Sequence, residues 1–370
     1  MQRPRLTGLV ESLPDFVPFV GPEALERSRG RPFRARLGAN ESVFGPSPNA
    51  IAAMQDAAKG NWMYADPESY ELRVALAHHH GVNIDNVVIG EGIDGLLGLA
   101  VKLVVEPGSA VVTADGTYPT FNFHVAGYGG RLVAVPYERD RENPAAVLEA
   151  AARERAPLVF FCNPDNPMGS WWPAAEVQRL IAGVPDGTLL CLDEAYGEFS
   201  PEGTLPPLDV SDPRVLRFRT FSKAYGMAGA RIAYAVGEAS VVKSFDKIRN
   251  HFGVNAVAQA GALASLDDPA HVTSVATKVR AARERVGAIA RASGLEPLPS
   301  GTNFVAIDCG RDGAFARRVL AELGARDVFV RMPGVAPLDR CIRVTAGTDT
   351  DLAVFAAALP EALAAARAAG

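Results

Sequence analysis

The sequence contains few cysteines, and their spacing does not match a metal or redox motif. Only four are present in 370 residues: Cys162, Cys191, Cys309 and Cys341. Each lies at or near an apolar, strand-like segment, so we interpret all four as core residues. Unpaired cysteines of this kind are typical of proteins from a reducing compartment, and the pattern therefore favours the cytoplasm.

Long apolar runs are also absent. The longest, residues 96–105, is too short to span a membrane and contains Lys102. Residues 1–14 mix Arg, Glu and Pro and lack the apolar centre of a signal peptide. The net charge of −5, without a concentrated patch of Lys and Arg, argues against a nucleic-acid surface. We therefore expect a cytoplasmic protein without a membrane or nucleic-acid partner.

The remaining composition is that of a globular protein, with 48% apolar and 21% charged residues. Strand-like runs alternate with helical patterns up to about residue 260, which predicts an α/β fold with a mostly parallel sheet between helices. Ala-rich helices and a few strands follow, as in a smaller α+β domain. The start, rich in Pro, Arg and Gly, predicts an extended arm that lies on other structure. We predict an arm (1–36), a large domain (37–260) and a small domain (261–370).

One lysine, Lys223, follows an apolar strand and stands beside the hydroxyl of Ser222 and eight residues before Arg231. Such an amine can hold an aldehyde cofactor as a Schiff base, while the hydroxyl and the guanidinium anchor its phosphate. Most lysines are solvated surface residues. The Ser-Lys pair, with glycines at 226 and 229, is harder to explain in that way and indicates a cofactor site.

Two further strands are predicted to end in polar side chains. Residues 189–193 form an apolar run that ends in Asp193, three residues before Tyr196. A carboxylate buried there is costly unless it meets a cation, such as a protonated pyridine nitrogen. A second run leads into a Pro-rich turn that presents Asn166 in a fixed position. Read without a cofactor, Asp193 is a helix cap and Tyr196 a core residue.

Residues 90–95 match the pattern G-x-G-x-x-G between a strand and a helix, and Asp115 lies about twenty residues beyond. This pattern is typical of dinucleotide-binding folds, so a nicotinamide-dependent oxidoreductase is one interpretation. Backbone N–H groups at a helix N-terminus also hold the phosphate of a smaller ligand. Beside the Lys223 segment, we interpret Gly92, Ile93 and Asp94 as this second kind of site.

Taken together, the chain resembles the pyridoxal-phosphate-dependent aminotransferases of fold type I, and specifically the histidinol-phosphate aminotransferase family. Six segments carry the resemblance, in family order: residues 37–48, residues 64–73, the Asn-Pro-x-Asn-Pro-x-Gly turn at 163–169, Asp-Glu-Ala-Tyr at 193–196, the Ser-Lys segment and Ile-Arg-Val-Thr at 342–345. The resemblance implies pyridoxal 5'-phosphate as cofactor, a seven-stranded sheet, and a homodimer with a shared active site.

The resemblance also assigns roles to individual residues. It implies that Asp193 faces the ring nitrogen, Tyr196 the phenolate oxygen, and Ser222 and Arg231 the phosphate. Other assignments are cofactor stacking by Tyr118, cofactor binding by Asn166, contact of Tyr64 with the partner subunit's cofactor, and substrate binding by Arg343, Arg331 and Asn40. A planar guanidinium suits the anionic end of a substrate.

The implied reaction moves an amino group from histidinol phosphate to 2-oxoglutarate by a ping-pong mechanism. An aromatic or other amino-acid aminotransferase, an amino-acid phosphate decarboxylase and a non-catalytic regulator are alternatives with the same fold. The substrate stays open because Met168, Ala233, Ser42 and Ile93 depart from the family pattern. We predict no metal at the histidines 78–80, because adjacent helical residues point in different directions.

Overall fold

The computed structural model describes residues 3–15 and 19–369. Residues 1, 2 and 16–18 of the predicted arm and residue 370 of the predicted small domain lie outside the described residues. The α-helices are α1 (Gly8–Ser12), α2 (Pro22–Arg29), α3 (Pro48–Ala57), α4 (Tyr70–His80), α5 (Gly92–Val104), α6 (Pro119–Gly127), α7 (Pro144–Glu154), α8 (Ala174–Ala182), α9 (Ala239–Ser244), α10 (Ala256–Leu266), α11 (Pro269–Ala292), α12 (Gly313–Ala325) and α13 (Asp349–Ala368). The strands are β1 (Ala35–Arg36), β2 (Val87–Gly90), β3 (Ala110–Ala114), β4 (Arg131–Val135), β5 (Leu158–Cys162), β6 (Leu189–Asp193), β7 (Val215–Thr220), β8 (Ala233–Gly237), β9 (Glu296–Pro297), β10 (Phe304–Asp308), β11 (Val328–Phe329) and β12 (Cys341–Thr345).

Seven of these strands form one sheet in the order β2-β8-β7-β6-β5-β3-β4. All neighbours are parallel except β8, which runs antiparallel to both β2 and β7. Strands β5 and β6 are buried along their whole length. Helices cover both faces of a parallel sheet, which is why these strands read as continuous apolar runs. The predicted seven-stranded, mostly parallel sheet is confirmed.

Helix α5 shows how the sequence places a site element against this sheet. Its apolar residues Leu96, Leu97, Ala100 and Val101 recur at helical spacing and are fully buried. The helix therefore packs along the sheet with its axis fixed. Its first residue, Gly92, has a φ of 80°, which a side-chain-bearing residue rarely adopts.

A second, three-stranded antiparallel sheet has the order β12-β10-β9 and packs against the helices α11 and α12, on which α13 packs in turn. Helix α13 begins at a capping box, in which the Thr348 side chain and the Asp351 side chain satisfy each other's backbone N–H groups. Strand β12 carries Arg343, and the pairing of β10 with β12 places Phe304 opposite Thr345. This region supplies the second wall of the site.

The arm differs from the prediction because it contains two helices and is not extended throughout. Pro22 at the first helical turn and Gly30 in a left-handed conformation start and stop α2. The arm packs on the C-terminal region, where β1 pairs with β11 and Arg29 forms a salt bridge with Asp327.

The division into domains stays a prediction. Helix α10 runs continuously across the predicted boundary at residue 260 and packs on α3 and α4. In the part of the chain that the structure describes, we found no helix with the length and apolar character needed to cross a membrane.

Candidate active site

A cavity of about 790 Å³ opens at the carboxyl ends of the parallel strands. Polar side chains that follow different strands meet there, because parallel strands end at the same edge of a sheet. The predicted site residues that line it are Asn40, Ile93, Asp94, Tyr118, Asn166, Asp193, Tyr196, Ser222, Lys223, Arg231, Arg331 and Arg343. The structure therefore brings together residues as far apart in sequence as Asn40 and Arg343.

The amine of Lys223 lies inside this cavity. Its Nζ donates a hydrogen bond to the backbone oxygen of Asn40 (3.0 Å) and lies 5.6 Å from the ring centre of Tyr196. Burial, with a further contribution from the charge of Arg343, lowers the pKa of Lys223 to about 8. A useful fraction of the amine is therefore unprotonated near neutral pH, as a nucleophile or a base requires.

Asp193 ends β6 and points into the same cavity. It is 6% exposed, and its Oδ1 accepts a hydrogen bond from the backbone N–H of Ala195 (2.9 Å). Burial raises the pKa of Asp193 to about 7. Among residues 3–15 and 19–369 no cationic side chain forms a salt bridge with it. A buried carboxylate in this condition is stabilised by a ligand that brings its own positive charge, as a protonated pyridine ring does.

A cradle for a phosphate lies where α5 begins. The first N–H groups of this helix have no partner within the helix, and its dipole favours an anion. Arg231 faces the same turn, because a Cβ added to Gly92 would come 2.4 Å from Arg231 Nη2. Ser222 adds a hydroxyl to the cavity wall. These donors match the phosphate of pyridoxal phosphate.

Tyr118 lies at the start of α6, and a hydrogen bond holds its side chain in place. Its hydroxyl donates to Asp94 Oδ1 at 2.7 Å, and burial raises the pKa of the phenol well above its ordinary value. The sequence predicted only backbone contacts for Asp94, whereas its carboxylate holds an aromatic ring of the cavity wall. That ring offers a flat, apolar face to a ligand.

Tyr196 is anchored in a similar way. Its hydroxyl accepts a hydrogen bond from Asn40 Nδ2 (3.1 Å), and its ring packs edge-on against Phe304. Burial raises the pKa of this phenol, so the hydroxyl keeps its proton at neutral pH and can donate it in a hydrogen bond.

Arg343 crosses from the small sheet to the turn that carries Asn166. Its Nη1 donates to Asn166 Oδ1 (2.5 Å) and its Nη2 to the oxygen of Gly38 (3.3 Å). Its Nε is buried without a hydrogen-bond partner among the described residues. Burial lowers the pKa of Arg343 to about 10, which still leaves the guanidinium charged at neutral pH. A guanidinium with donors to spare suits a carboxylate or a phosphate.

Arg331 lies beside Arg343, and the backbones of the two residues are paired. Its Nη1 donates to the oxygen of Val20 (2.9 Å), and its guanidinium lies 4.5 Å from the ring centre of Phe19. Phe19 and Glu23 of the arm also line the cavity. The sequence did not identify these two residues, because nothing local shows where an arm will lie.

Tyr64 does not line this cavity. Its side chain is 83% exposed and stacks on Phe252 at 4.6 Å, so within one subunit it contributes to an aromatic patch on the surface. The G-x-G-x-x-G loop follows β2, an edge strand that is antiparallel to β8. A dinucleotide-binding loop instead follows a parallel strand next to the switch point of the sheet, which argues against the oxidoreductase interpretation.

The three histidines close helix α4, and His80 shares a hydrogen bond with the hydroxyl of Tyr234 (2.9 Å). Burial lowers the pKa of His80 to about 3, so the ring is neutral at neutral pH. This contact places His80 in the packing of the sheet rather than in the cavity.

A pair of buried carboxyl groups behind the cavity was missed at the level of sequence. Glu142 accepts hydrogen bonds from the hydroxyl of Thr117 (2.8 Å) and the N–H of Cys162 (3.1 Å). Asp165 accepts a hydrogen bond from the hydroxyl of Tyr137 (2.7 Å). Carboxylate oxygens of Glu142 and Asp165 and the Sγ of Cys162 lie within 4.8 Å of one another. Burial, reinforced by the charge of Asp165, raises the pKa of Glu142 well above its usual range. Ionisation of both carboxyl groups at once is therefore disfavoured.

Most of the positions that depart from the family pattern lie outside the wall of the cavity. Met168 is buried and packs with Ala306, Leu338 and Cys341 between the Asn-Pro turn and the small sheet. Ala233 begins β8, and the hydroxyl of Ser42 is buried. Of these positions only Ile93 contributes to the wall of the cavity.

Comparison with known proteins agrees with this geometry. Residues 35–359 match the model of the family described as aminotransferase class I and II. The chain is similar to histidinol-phosphate aminotransferase of Moorella thermoacetica, with 33% identity over 98% of this chain and 94% of the relative. It is also similar to the enzyme of that name from Symbiobacterium thermophilum, with 36% identity over 96% of this chain and 97% of the relative.

A solved structure gives the same result. The fold superimposes on histidinol-phosphate aminotransferase from Sinorhizobium meliloti in complex with pyridoxal-5'-phosphate, with a TM-score of 0.96 and 53% identity over 100% of this chain and 99% of that one. The predicted family, fold type, enzyme class and cofactor are therefore confirmed. This chain belongs to the pyridoxal-phosphate-dependent aminotransferases of class I and II, in the histidinol-phosphate aminotransferase family.

Proposed function

We propose that this aminotransferase takes the amino group of histidinol phosphate and gives it to 2-oxoglutarate, in a ping-pong reaction that serves histidine biosynthesis. One observation carries the proposal: a single cavity holds the amine of Lys223, the carboxyl group of Asp193 and the guanidinium of Arg343. The names of the similar proteins support histidinol phosphate as the donor.

The cavity residues divide into groups that would hold different parts of the cofactor. Asp193 would face the ring nitrogen, Tyr196 and Asn166 the phenolate oxygen, and Tyr118 the flat face of the ring. The N–H groups of Gly92, Ile93 and Asp94, with Ser222 and Arg231, would hold the phosphate. Bound pyridoxal phosphate supplies an electron sink for the charge that develops when a proton leaves the substrate carbon.

The proton transfer itself falls to Lys223. With its pKa near 8, Nζ can take a proton from the carbon that bears the donor's amino group and can later return it. Asp193 would keep a proton on the ring nitrogen of the bound cofactor, because an ionised carboxylate favours the protonated form of its partner. Tyr118 and Asp94, joined by their hydrogen bond, hold one wall rigid while the proton moves.

Both substrates of the proposed reaction are anions. Histidinol phosphate carries a phosphate, and 2-oxoglutarate carries two carboxylates. Arg343 has a buried Nε without a partner among the described residues, and Arg331 lies next to it. One pair of guanidinium groups can therefore receive each substrate in turn, which a ping-pong mechanism requires.

We further propose that the enzyme is a cytoplasmic homodimer in which Tyr64 reaches the partner subunit's cofactor. The exposed stack of Tyr64 on Phe252 supports a covered surface at this point. Four buried cysteines without disulfides support a reducing compartment. Sedimentation of the purified protein tests the dimer; a monomer that retains full activity would contradict it.

Single-turnover half-reactions test the choice of donor. Cofactor-loaded enzyme is mixed with histidinol phosphate, phenylalanine, tyrosine or other amino acids, and the change in cofactor absorbance is followed. We expect the rate constant divided by the dissociation constant to be at least about 100-fold higher for histidinol phosphate. Equal or faster reaction with phenylalanine or tyrosine would indicate an aromatic aminotransferase, and release of carbon dioxide would indicate a decarboxylase.

A further inference from the structure

The acceptor for the Lys223 amine is a backbone carbonyl in an unusual conformation. Asn40 has a φ of 55°, in the left-handed region that a residue with a side chain enters at a cost. Its oxygen accepts from Lys223 Nζ (3.0 Å) and also from Asn303 Nδ2 (3.0 Å). Such a conformation persists only where the surrounding structure holds it.

Two side chains of the small sheet hold Asn40 at three points. Asn303, directly before β10, donates from Nδ2 to the oxygens of Asn40 and, at 3.3 Å, of Glu41. Thr345, at the end of β12, accepts from the N–H of Asn40 and donates to its Oδ1, both at 3.1 Å. Asn303 and Thr345 are 1% and 2% exposed, so water does not compete for these bonds.

Asn303 is not simply a well-satisfied core residue. Its Oδ1 is buried without a hydrogen-bond partner among the described residues, which costs free energy. The side-chain amide of Asn303 therefore acts only as a hydrogen-bond donor. Both of its hydrogen bonds go to the backbone segment that contains Asn40, whose oxygen also accepts from Lys223. An apolar side chain would serve the packing of β10 without this cost.

The groups around Lys223 determine whether its amine is neutral or charged. Burial and the charges of Arg343 and Arg231 favour the neutral amine, while the charges of Glu41 and Asp193 favour the ammonium. A carbonyl oxygen that accepts a hydrogen bond from the ammonium also favours the charged form of Lys223, and this effect is larger when the hydrogen bond has good geometry. If the carbonyl of Asn40 moves out of position, the pKa of the Lys223 amine should therefore fall.

We propose that Asn303 and Thr345 are positioning residues, which hold the carbonyl of Asn40 in place for the amine of Lys223. The two residues touch neither the cofactor cavity nor Lys223 directly. They act on the amine through Asn40, and so connect the small sheet to the reacting group. The inference rests on the proposed role of Lys223.

The reactivity of the amine toward pyridoxal phosphate tests the inference without measuring turnover. Full-length protein freed of cofactor is mixed with pyridoxal phosphate from pH 6 to 10, and the second-order rate constant of adduct formation is measured. Borohydride reduction and peptide mapping then identify the modified residue. For the wild type we expect labelling at Lys223 and an inflection near pH 8.

In Asn303→Ala and Thr345→Val we expect the inflection to move down by about half to one pH unit, which is about 3- to 10-fold in the proton affinity of the amine. Thr345→Ser keeps the hydroxyl and should stay close to the wild type. Asn86→Ala is a matched control, because Asn86 is buried and donates to the oxygen of Gly237 (2.9 Å) far from the cavity. It should lower the melting temperature but leave the inflection in place.

The possible failures are distinguishable. A common inflection in all proteins that label at Lys223 overturns the inference and leaves the proposed function intact. A wild type that takes up no label at Lys223 overturns the proposed function, and the inference with it. Should Asn303→Ala not fold, the comparison of Thr345→Val with Thr345→Ser decides between the same results, because Thr345→Val replaces the hydroxyl by a methyl group whereas Thr345→Ser keeps the hydroxyl and removes only the methyl group.

Discussion

Replacing Asp193 with asparagine should stabilise the cofactor-free protein while it weakens the cofactor complex. The folded-state pKa of Asp193 is raised from 3.8 to about 7 by burial. A carboxyl group with a raised pKa makes the folded state less stable as the pH rises from about 4 through about 7. At pH 8 this effect amounts to about 4 kcal/mol, from roughly three pKa units at about 1.4 kcal/mol each.

Asparagine keeps the shape of the side chain and can still accept the hydrogen bond from Ala195, but it carries no charge. Without cofactor, Asp193→Asn should therefore be more stable than the wild type at pH 8, by up to about 4 kcal/mol. The difference should shrink to near zero at pH 4. Thermal or urea unfolding of the cofactor-free proteins across this range measures it.

When the cofactor is bound, we expect Asp193→Asn to have the opposite effect and to destabilise the complex. In the proposed complex the wild-type carboxylate would gain a charge-assisted hydrogen bond to the ring nitrogen, worth about 1.5–3 kcal/mol, and the asparagine would not. We expect the affinity for pyridoxal phosphate to fall about 10- to 100-fold, measured by titration of the absorbance of the bound cofactor. Asp186→Asn, at a fully exposed carboxylate, is the control and should change neither quantity.

An unchanged stability at pH 8 together with an unchanged cofactor affinity would refute this reasoning. It would mean that Asp193 is neither destabilised by burial nor placed against the ring nitrogen. Destabilisation at pH 8 alone would show that the carboxylate has a cationic partner within the protein itself.

Three other substitutions test separate parts of the site. Glu142→Gln, in the buried pair with Asp165, removes a carboxyl group with a raised pKa, so the stability lost between pH 5 and pH 8 in unfolding experiments should be smaller than in the wild type. Gly92→Ala adds a methyl group where α5 meets the guanidinium and should weaken cofactor binding at least about 10-fold in a titration. Gly187→Ala, with the same positive φ and open space around it, should cost stability alone. Arg343→Lys keeps the charge but loses the planar fork, so the kcat/KM of both half-reactions should fall about 100-fold while cofactor affinity stays unchanged.

The site could be predicted in large part because its chemistry follows the strand ends. Asp193 and Lys223 each come after a buried apolar run, and parallel strands bring such positions to one edge. The composition of a segment is enough to recognise this pattern. The role of Arg343 is implied instead by the resemblance of residues 342–345 to the family, because Arg343 lies within an antiparallel strand and not at the end of a parallel one.

The other residues of the site depend on contacts between distant parts of the chain, which no local sequence pattern predicts. Glu142 lies in a loop, and nothing around it in the sequence shows that Asp165 will be its neighbour. Asn303 and Asn40 are 263 positions apart and meet only when the small sheet packs on the first loop. Thr345 was within reach, because it is two residues beyond Arg343 on one strand and so shares its face. The sequence does not predict the helices of the arm, because Pro and Gly are typical of extended chain, whereas here Pro22 and Gly30 mark the start and the end of α2.

The proposed function depends on covalent attachment of the cofactor to Lys223. Borohydride reduction of the cofactor-loaded protein, followed by digestion and mass spectrometry, measures it directly. We expect a single modified residue, Lys223, and no modification of that peptide in Lys223→Ala. A label on a different lysine, or a reduced protein without a label, would contradict it.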